Sequence, residues 1–151
     1  MDDQEEYEKQ KRMRERNATL FSTAVRWIRL LEQGMTLRSY FEGRKGKNLA
    51  IYGASALGEL LYLELQKQKE VRVRCFFDKK AEVMPQCCGL PVIHPKHYKD
   101  IEQIDTLIVT PVFFFEEIKK ELLPARPEIA VINLLTIMED REIEACDESN
   151  I

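Results

Sequence analysis

Residues 48–58, Asn-Leu-Ala-Ile-Tyr-Gly-Ala-Ser-Ala-Leu-Gly, constrain the fold of this chain more than any other stretch. Leu49 to Tyr52 form an apolar run of strand length, Gly53 ends it, and Gly58 follows five residues later. The leucines around Gly58, at positions 57, 60, 61 and 65, recur at the spacing of one helix face. The order of buried strand, tight glycine turn and helix predicts the start of a βαβ unit.

The glycine turn also predicts a phosphate site. Gly53 allows a sharp backbone turn, and the helix that follows presents unpaired N–H groups and a partial positive charge. Ser55 replaces the middle glycine of the G-x-G-x-x-G fingerprint, so its hydroxyl could donate to a phosphate while its Cβ hinders a pyrophosphate. Asp78 closes the next apolar run 20 residues beyond Gly58, where such units place their ribose-binding acid. The alternative is an α/β domain whose turn is empty.

Further apolar runs alternate with amphipathic segments along the rest of the chain. Predicted strands cover residues 71–77, 91–93, 105–110 and 129–132. Together with the first strand they predict a mainly parallel five-stranded sheet in the order 3-2-1-4-5, covered by helices on both faces as three α/β/α layers.

The N-terminal part of the chain precedes this unit. Residues 18–33 predict an amphipathic helix whose stripe contains Phe21, Ala24, Val25, Ile28 and Leu31, widened by two further apolar residues. Residues 1–16 are highly charged, and either a solvated helix or a frayed segment fits them. We expect the N-terminal helices to contact a second copy of the chain, as a homo-oligomer, or another domain; the alternative is that they only cover the sheet.

Composition narrows the classes of function. Hydrophobic residues make up 44% of the chain, and 23 basic against 26 acidic side chains give a formal net charge of −3. That balance argues against a nucleic-acid partner. No apolar run approaches the length of a membrane span, and the acidic N-terminus does not fit a signal peptide. The spacing of the cysteines and histidines indicates no metal site, and reduced thiols fit a cytoplasmic protein.

Four stretches together resemble a known type of module. These are Leu-Ala-Ile-Tyr-Gly-Ala-Ser-Ala-Leu-Gly, Phe-Phe-Asp-Lys, Gly-Leu-Pro-Val-Ile-His-Pro and Asp-Thr-Leu-Ile-Val-Thr-Pro. They are similar to the Rossmann-like modules of bacterial surface-polysaccharide biosynthesis, found at the front of nucleotide-sugar dehydratases and sugar acetyltransferases and as accessory modules of glycosyltransferases. The resemblance implies a Rossmann-like domain at 47–139. The residue patterns on either side of it predict an N-terminal helical extension at 1–46 and an acidic tail at 140–151.

The resemblance implies a nucleotide-type ligand, either NAD(P) or a nucleotide-sugar. The residues expected to bind it are Gly53, Ala54, Ser55, Leu57, Gly58, Asp78, Lys79, Thr110 and Pro111. The chain has no credible catalytic Tyr/Lys pair and no β-helix repeat, so the resemblance implies no catalytic residue. Three functions remain open: a binding module, an NAD(P)-dependent sugar-nucleotide enzyme or a fragment of one, and an interaction domain that has lost its ligand.

Overall fold

The computed structural model of the chain describes residues 2–44 and 48–149, without the side chains of 148 and 149. Its α-helices are α1 (Asp3–Glu32), α2 (Ala56–Leu65), α3 (Phe115–Leu122) and α4 (Leu134–Ser149). Its strands are β1 (Asn48–Tyr52), β2 (Arg72–Phe77), β3 (Gln86–Cys87), β4 (Leu90–Ile93), β5 (Thr106–Val109) and β6 (Ala130–Asn133). Short 3-10 helices cover Leu37–Phe41, Pro95–Asp100 and Val112–Phe114. No helix of the described residues has the length and apolar character needed to cross a membrane.

The strands form one six-stranded sheet in the order β3-β4-β2-β1-β5-β6. All neighbours are parallel except β3 and β4, which are antiparallel. The five predicted strands therefore have the predicted order, with β1 central between β2 and β5. The additional strand β3 has two residues, and only its pairing with β4 defines it. The fold is Rossmann-like.

Successive residues of the central strands are buried on opposite faces of the sheet, because side chains alternate between the two faces of a pleated strand. Leu49, Ile51 and Phe76 pack on one face with α2, α4 and the second half of α1. Ala50, Tyr52 and other residues of the same strands pack on the opposite face with α3. This arrangement confirms the three layers and leaves the carboxyl ends of β1, β2 and β5 at one edge of the sheet.

Helix α1 runs without a break for 30 residues, about 45 Å, so the charged segment that precedes residue 18 is helical. Its buried residues are Thr23, Trp27 and Leu30. In the predicted stripe, by contrast, Phe21 is 72% exposed and Ile28 is 58% exposed. The helix was predicted correctly, but the predicted stripe is not the buried face, because apolar residues occur on both sides of α1.

The acidic segment after residue 139 belongs to α4 and is not frayed up to residue 149. Ile137 and Met138 are buried in the core, and the buried Arg141 donates from Nε to the carbonyl oxygen of Thr36 at 3.0 Å. Glu142 pairs with Arg26 of α1. Residues 150 and 151 and the predicted boundary between 46 and 47 lie outside the described residues, and the division into three parts stays a prediction.

Candidate functional site

A crevice of about 550 Å³ lies at the carboxyl edge of the sheet. Seven of the nine predicted site residues line it, namely Gly53, Ser55, Leu57, Asp78, Lys79, Thr110 and Pro111. The other two, Ala54 and Gly58, are buried in the same turn and helix. The structure therefore brings the predicted residues together, although their role in binding a ligand stays a prediction.

The turn after β1 is packed too closely for side chains at either glycine. Gly53 has a φ of +107°, and a Cβ there would lie 2.4 Å from Oγ1 of Thr110. A Cβ at Gly58 would lie 1.9 Å from the carbonyl oxygen of Gly53. The turn is also fixed to the neighbouring strand, because the N–H of Gly53 donates to the carbonyl oxygen of Phe77 at 2.8 Å. Helix α2 consequently begins directly against the sheet, and its N-terminus faces the crevice.

Ser55 is the N-cap residue of α2. Its backbone is extended, with a φ of −138°, so the position does not require the glycine of the fingerprint. The side chain is exposed and makes no capping hydrogen bond to α2. The first N–H groups of a helix have no partner within the helix, and Ser55 and Leu57 of this first turn line the crevice.

Asp78 follows β2 and is tied to the glycine turn. Its Oδ2 accepts from the N–H of Ala54 at 3.0 Å, and its Oδ1 accepts from the N–H of Lys80 at 2.9 Å. These bonds hold the half-buried carboxylate at the crevice, where the spacing predicted it. A carboxylate offers about four acceptor positions, so Asp78 retains capacity for two further donors.

The β5 side of the crevice differs from the prediction in detail. Thr110 is buried, and both its N–H and its hydroxyl donate to the carbonyl oxygen of Tyr52, at 3.0 and 2.8 Å. Thr110 therefore supports the crevice wall but has no hydroxyl proton to offer a ligand. Burial, reinforced by the charges of Glu121 and Asp78, raises the pKa of Tyr52 to about 12, so its phenol stays protonated.

Sequence reasoning missed the contribution of α1. Four residues of α1 also line the crevice, namely Arg16, Asn17, Thr19 and Leu20. One turn earlier, Arg12 forms an ion pair with Glu117 of α3 at 2.7 Å. The only sequence signal was the i,i+4 spacing of the two arginines, which places them on one side of a helix without showing what that side contacts.

The part of the chain that the structure describes lacks the side-chain cluster that a metal site requires. No cluster of three or more His, Cys, Asp or Glu side chains there could hold a metal ion. The N–H groups of Gly53 and Ala54 in the turn are already used by Phe77 and Asp78, so the N–H groups available to an anion are those of the first turn of α2. The arrangement is suited to holding an elongated ligand that carries phosphate.

The sequence matches no protein-family model, and no curated protein is similar to it. Solved structures do show a likeness. The crystal structure of RSP, a Rex-family repressor, has a TM-score of 0.49 and 16% identity, over 71% of this chain and 64% of that one. RSP in complex with β-NADH has a TM-score of 0.47 and 16% identity, over 70% and 64%. RSP with β-NAD+ and operator DNA has a TM-score of 0.47 and 15% identity, over 69% and 58%.

The likeness thus spans less than two thirds of RSP, and identities this low describe a fold only. Two expectations from the sequence change nevertheless. These three structures include nothing from surface-polysaccharide biosynthesis, so that context is without support. The prediction from charge balance that nucleic acid is excluded as a partner is contradicted by the operator-DNA complex of RSP, and we withdraw it.

Proposed function

We propose that this protein binds a dinucleotide of the NAD(H) class in the crevice at the carboxyl edge of its sheet. The observation that carries the proposal is the continuity of the crevice across β1. It extends from Asp78 and Lys80 after β2, past the Gly53 turn, to Thr110 after β5 and Glu121 on α3. The strand order reverses at β1, with β2 and β4 on one side of it and β5 and β6 on the other, and open α/β sheets bind dinucleotides at that point.

Each part of such a ligand has a counterpart in the crevice. The diphosphate fits over the first turn of α2, where the N–H groups and the helix dipole favour negative charge. The adenosine ribose fits beside Asp78, which retains acceptor capacity for two hydroxyl groups. The second nucleoside fits on the β5 side, between Tyr52 and the residues of α3.

Asp78 favours NAD(H) over NADP(H). A carboxylate at this position accepts hydrogen bonds from the ribose 2′-hydroxyl and repels a 2′-phosphate. Lys79 and Lys80 are exposed and adjacent, and they could offset that repulsion. The carboxylate is fixed by two backbone N–H groups, whereas neither lysine forms an ion pair within the described residues. We therefore expect Asp78, and not the two lysines, to decide the preference between NAD(H) and NADP(H).

The proposed role is binding without turnover by this chain. A general base must reach its substrate with an available acceptor at a suitable pKa. The Thr110 hydroxyl is committed to Tyr52, the Tyr52 phenol stays protonated, and Asp78 is assigned to the ribose. Of the other two carboxylates in the lining, Glu117 is paired with Arg12, and Glu121 lies on α3 at the far end of the crevice from Asp78. A nucleotide-sugar in the same crevice is the alternative ligand to be tested.

Isothermal titration calorimetry with NAD+, NADH, NADP+, NADPH and a UDP-sugar tests the proposal. We expect NADH or NAD+ to bind most tightly, and Asp78→Asn to weaken that binding about tenfold through loss of charge-assisted hydrogen bonds. Asp105→Asn is the matched control, because Asp105 also accepts two hydrogen bonds, from Asn48 and Thr106, at the opposite edge of the sheet. Absence of dinucleotide binding by the wild-type protein, or equal effects of both variants, would contradict the proposal.

A further inference from the structure

Helix α1 crosses the mouth of the crevice and is anchored on both sides of it. On one side, Arg12 pairs with Glu117, and its guanidinium carbon lies 5.5 and 5.4 Å from the ring centroids of Phe113 and Phe114. On the other side, Nε1 of the buried Trp27 donates to Glu64 of α2 at 3.4 Å. The segment between the anchors therefore has a defined position over the crevice.

Arg16 lies within that segment and lines the crevice. It is one helical turn from Arg12, and it forms no ion pair with any residue that the structure describes. Of the three carboxylates in the same lining, Glu117 is paired with Arg12, and neither Asp78 nor Glu121 forms an ion pair with Arg16. A cation held at the mouth of a crevice without a carboxylate partner is suited to an anionic ligand.

Ser55 and the first turn of α2 line the crevice from the sheet side, while Arg16 lines it from the α1 side. A diphosphate over α2 has oxygen atoms on its outer side that the α2 N–H groups do not reach. The planar guanidinium group of arginine matches two phosphate oxygens at once, which a lysine ammonium does not.

Resting on the proposed function, we infer that Arg16 is a further binding residue, which contacts the diphosphate of the dinucleotide from above. The site is then completed by a helix outside the βαβ unit. Helix α1 forms its roof, Arg12 ties that helix to α3, and Arg16 makes the contact.

The test compares Arg16→Gln with Arg14→Gln in the full chain. Arg14 is on the same helix, about 200° around its axis, and is exposed outside the crevice without an ion pair among the described residues. Calorimetry should show NADH binding weakened about tenfold in Arg16→Gln and unchanged in Arg14→Gln. Arg16→Lys should fall between wild type and Arg16→Gln, because it keeps the charge and loses the paired geometry.

The dependence of NADH affinity on salt gives a second readout. Salt screens charge interactions, so the affinity of Arg16→Gln should fall less steeply with added NaCl than that of wild type. If wild type binds NADH and Arg16→Gln binds equally well, or keeps the wild-type salt dependence, the inference about Arg16 is wrong while the proposed function stands. If wild type binds no dinucleotide, both are wrong.

Discussion

Replacing Gly58 by alanine should destabilise the protein strongly, although the same change inside most helices is stabilising. Without a clash, alanine would gain about 0.5–1 kcal/mol over glycine in a helix. Here its Cβ would lie 1.9 Å from the carbonyl oxygen and 3.1 Å from the carbonyl carbon of Gly53. The atoms that the Cβ would clash with belong to the backbone of Gly53. The N–H of Gly53 donates a hydrogen bond to the carbonyl oxygen of Phe77 at 2.8 Å, so neither the turn nor α2 can shift without a cost in free energy.

Overpacking of a core costs about 1–3 kcal/mol, and a contact this short against fixed backbone belongs at the upper end. We expect Gly58→Ala to lower the free energy of unfolding by about 3 kcal/mol, a large part of the roughly 5–15 kcal/mol typical of a domain. Urea denaturation followed by circular dichroism measures it.

Gly34→Ala is the control for this experiment. Gly34 has a φ of +75°, and a Cβ added there would have no other atom within 4 Å, so alanine meets only backbone strain of about 1 kcal/mol. A Gly58→Ala protein that is as stable as wild type, or no less stable than Gly34→Ala, would show that α2 does not pack on the turn closely enough to exclude a Cβ.

Two further predictions concern stability. Glu64 accepts from the N–H of Leu37 at 2.7 Å and from Trp27 at 3.4 Å, so Glu64→Ala leaves two buried donors unpaired and should cost about 2 kcal/mol in urea denaturation, with a smaller loss for Glu64→Gln. Burial raises the pKa of Tyr52 from 10.0 and of Cys75 from 9.0, each to about 12, so the folded state keeps protons that the unfolded chain releases. The free energy of unfolding should therefore be highest below pH 9.0 and fall as the pH rises toward 12, less steeply in Tyr52→Phe; a pH-independent free energy over that range would contradict this.

The central part of the fold could be predicted because its signals are local. An apolar run, Gly53 and a leucine stripe specify strand, turn and helix within residues 48–65, and the spacing to Asp78 follows from the length of one βαβ unit. Strand β3 could not be predicted, because two residues show no periodicity and the pairing with β4 defines it.

Features that depend on contacts distant in sequence were missed or misjudged. The pattern of α1 predicts a helix, but its contacts with Glu64, Glu142 and Glu117 decide which side faces the protein. The acidic segment after residue 139 is held in α4 by the buried Arg141, whose partner Thr36 lies 105 residues earlier.

The same distinction applies within the site. Sequence placed Asp78 and Thr110 at the crevice, since strand ends meet at one edge of a parallel sheet. The sequence could not show that the Asp78 carboxylate accepts a hydrogen bond from the N–H of Ala54. It also could not show that the Thr110 hydroxyl donates to the carbonyl oxygen of Tyr52. Arg16 was not among the predicted site residues, because nothing near it in the sequence indicates that α1 crosses the crevice.

A crystal structure of the full chain grown with NADH would show whether the crevice at the carboxyl edge of the sheet binds a dinucleotide. We expect a dinucleotide in the crevice, with its diphosphate over the first turn of α2 beside Ser55 and its adenosine ribose hydroxyls on Asp78. A dinucleotide bound away from residues 53–58, or an empty crevice at saturating NADH, would contradict that expectation.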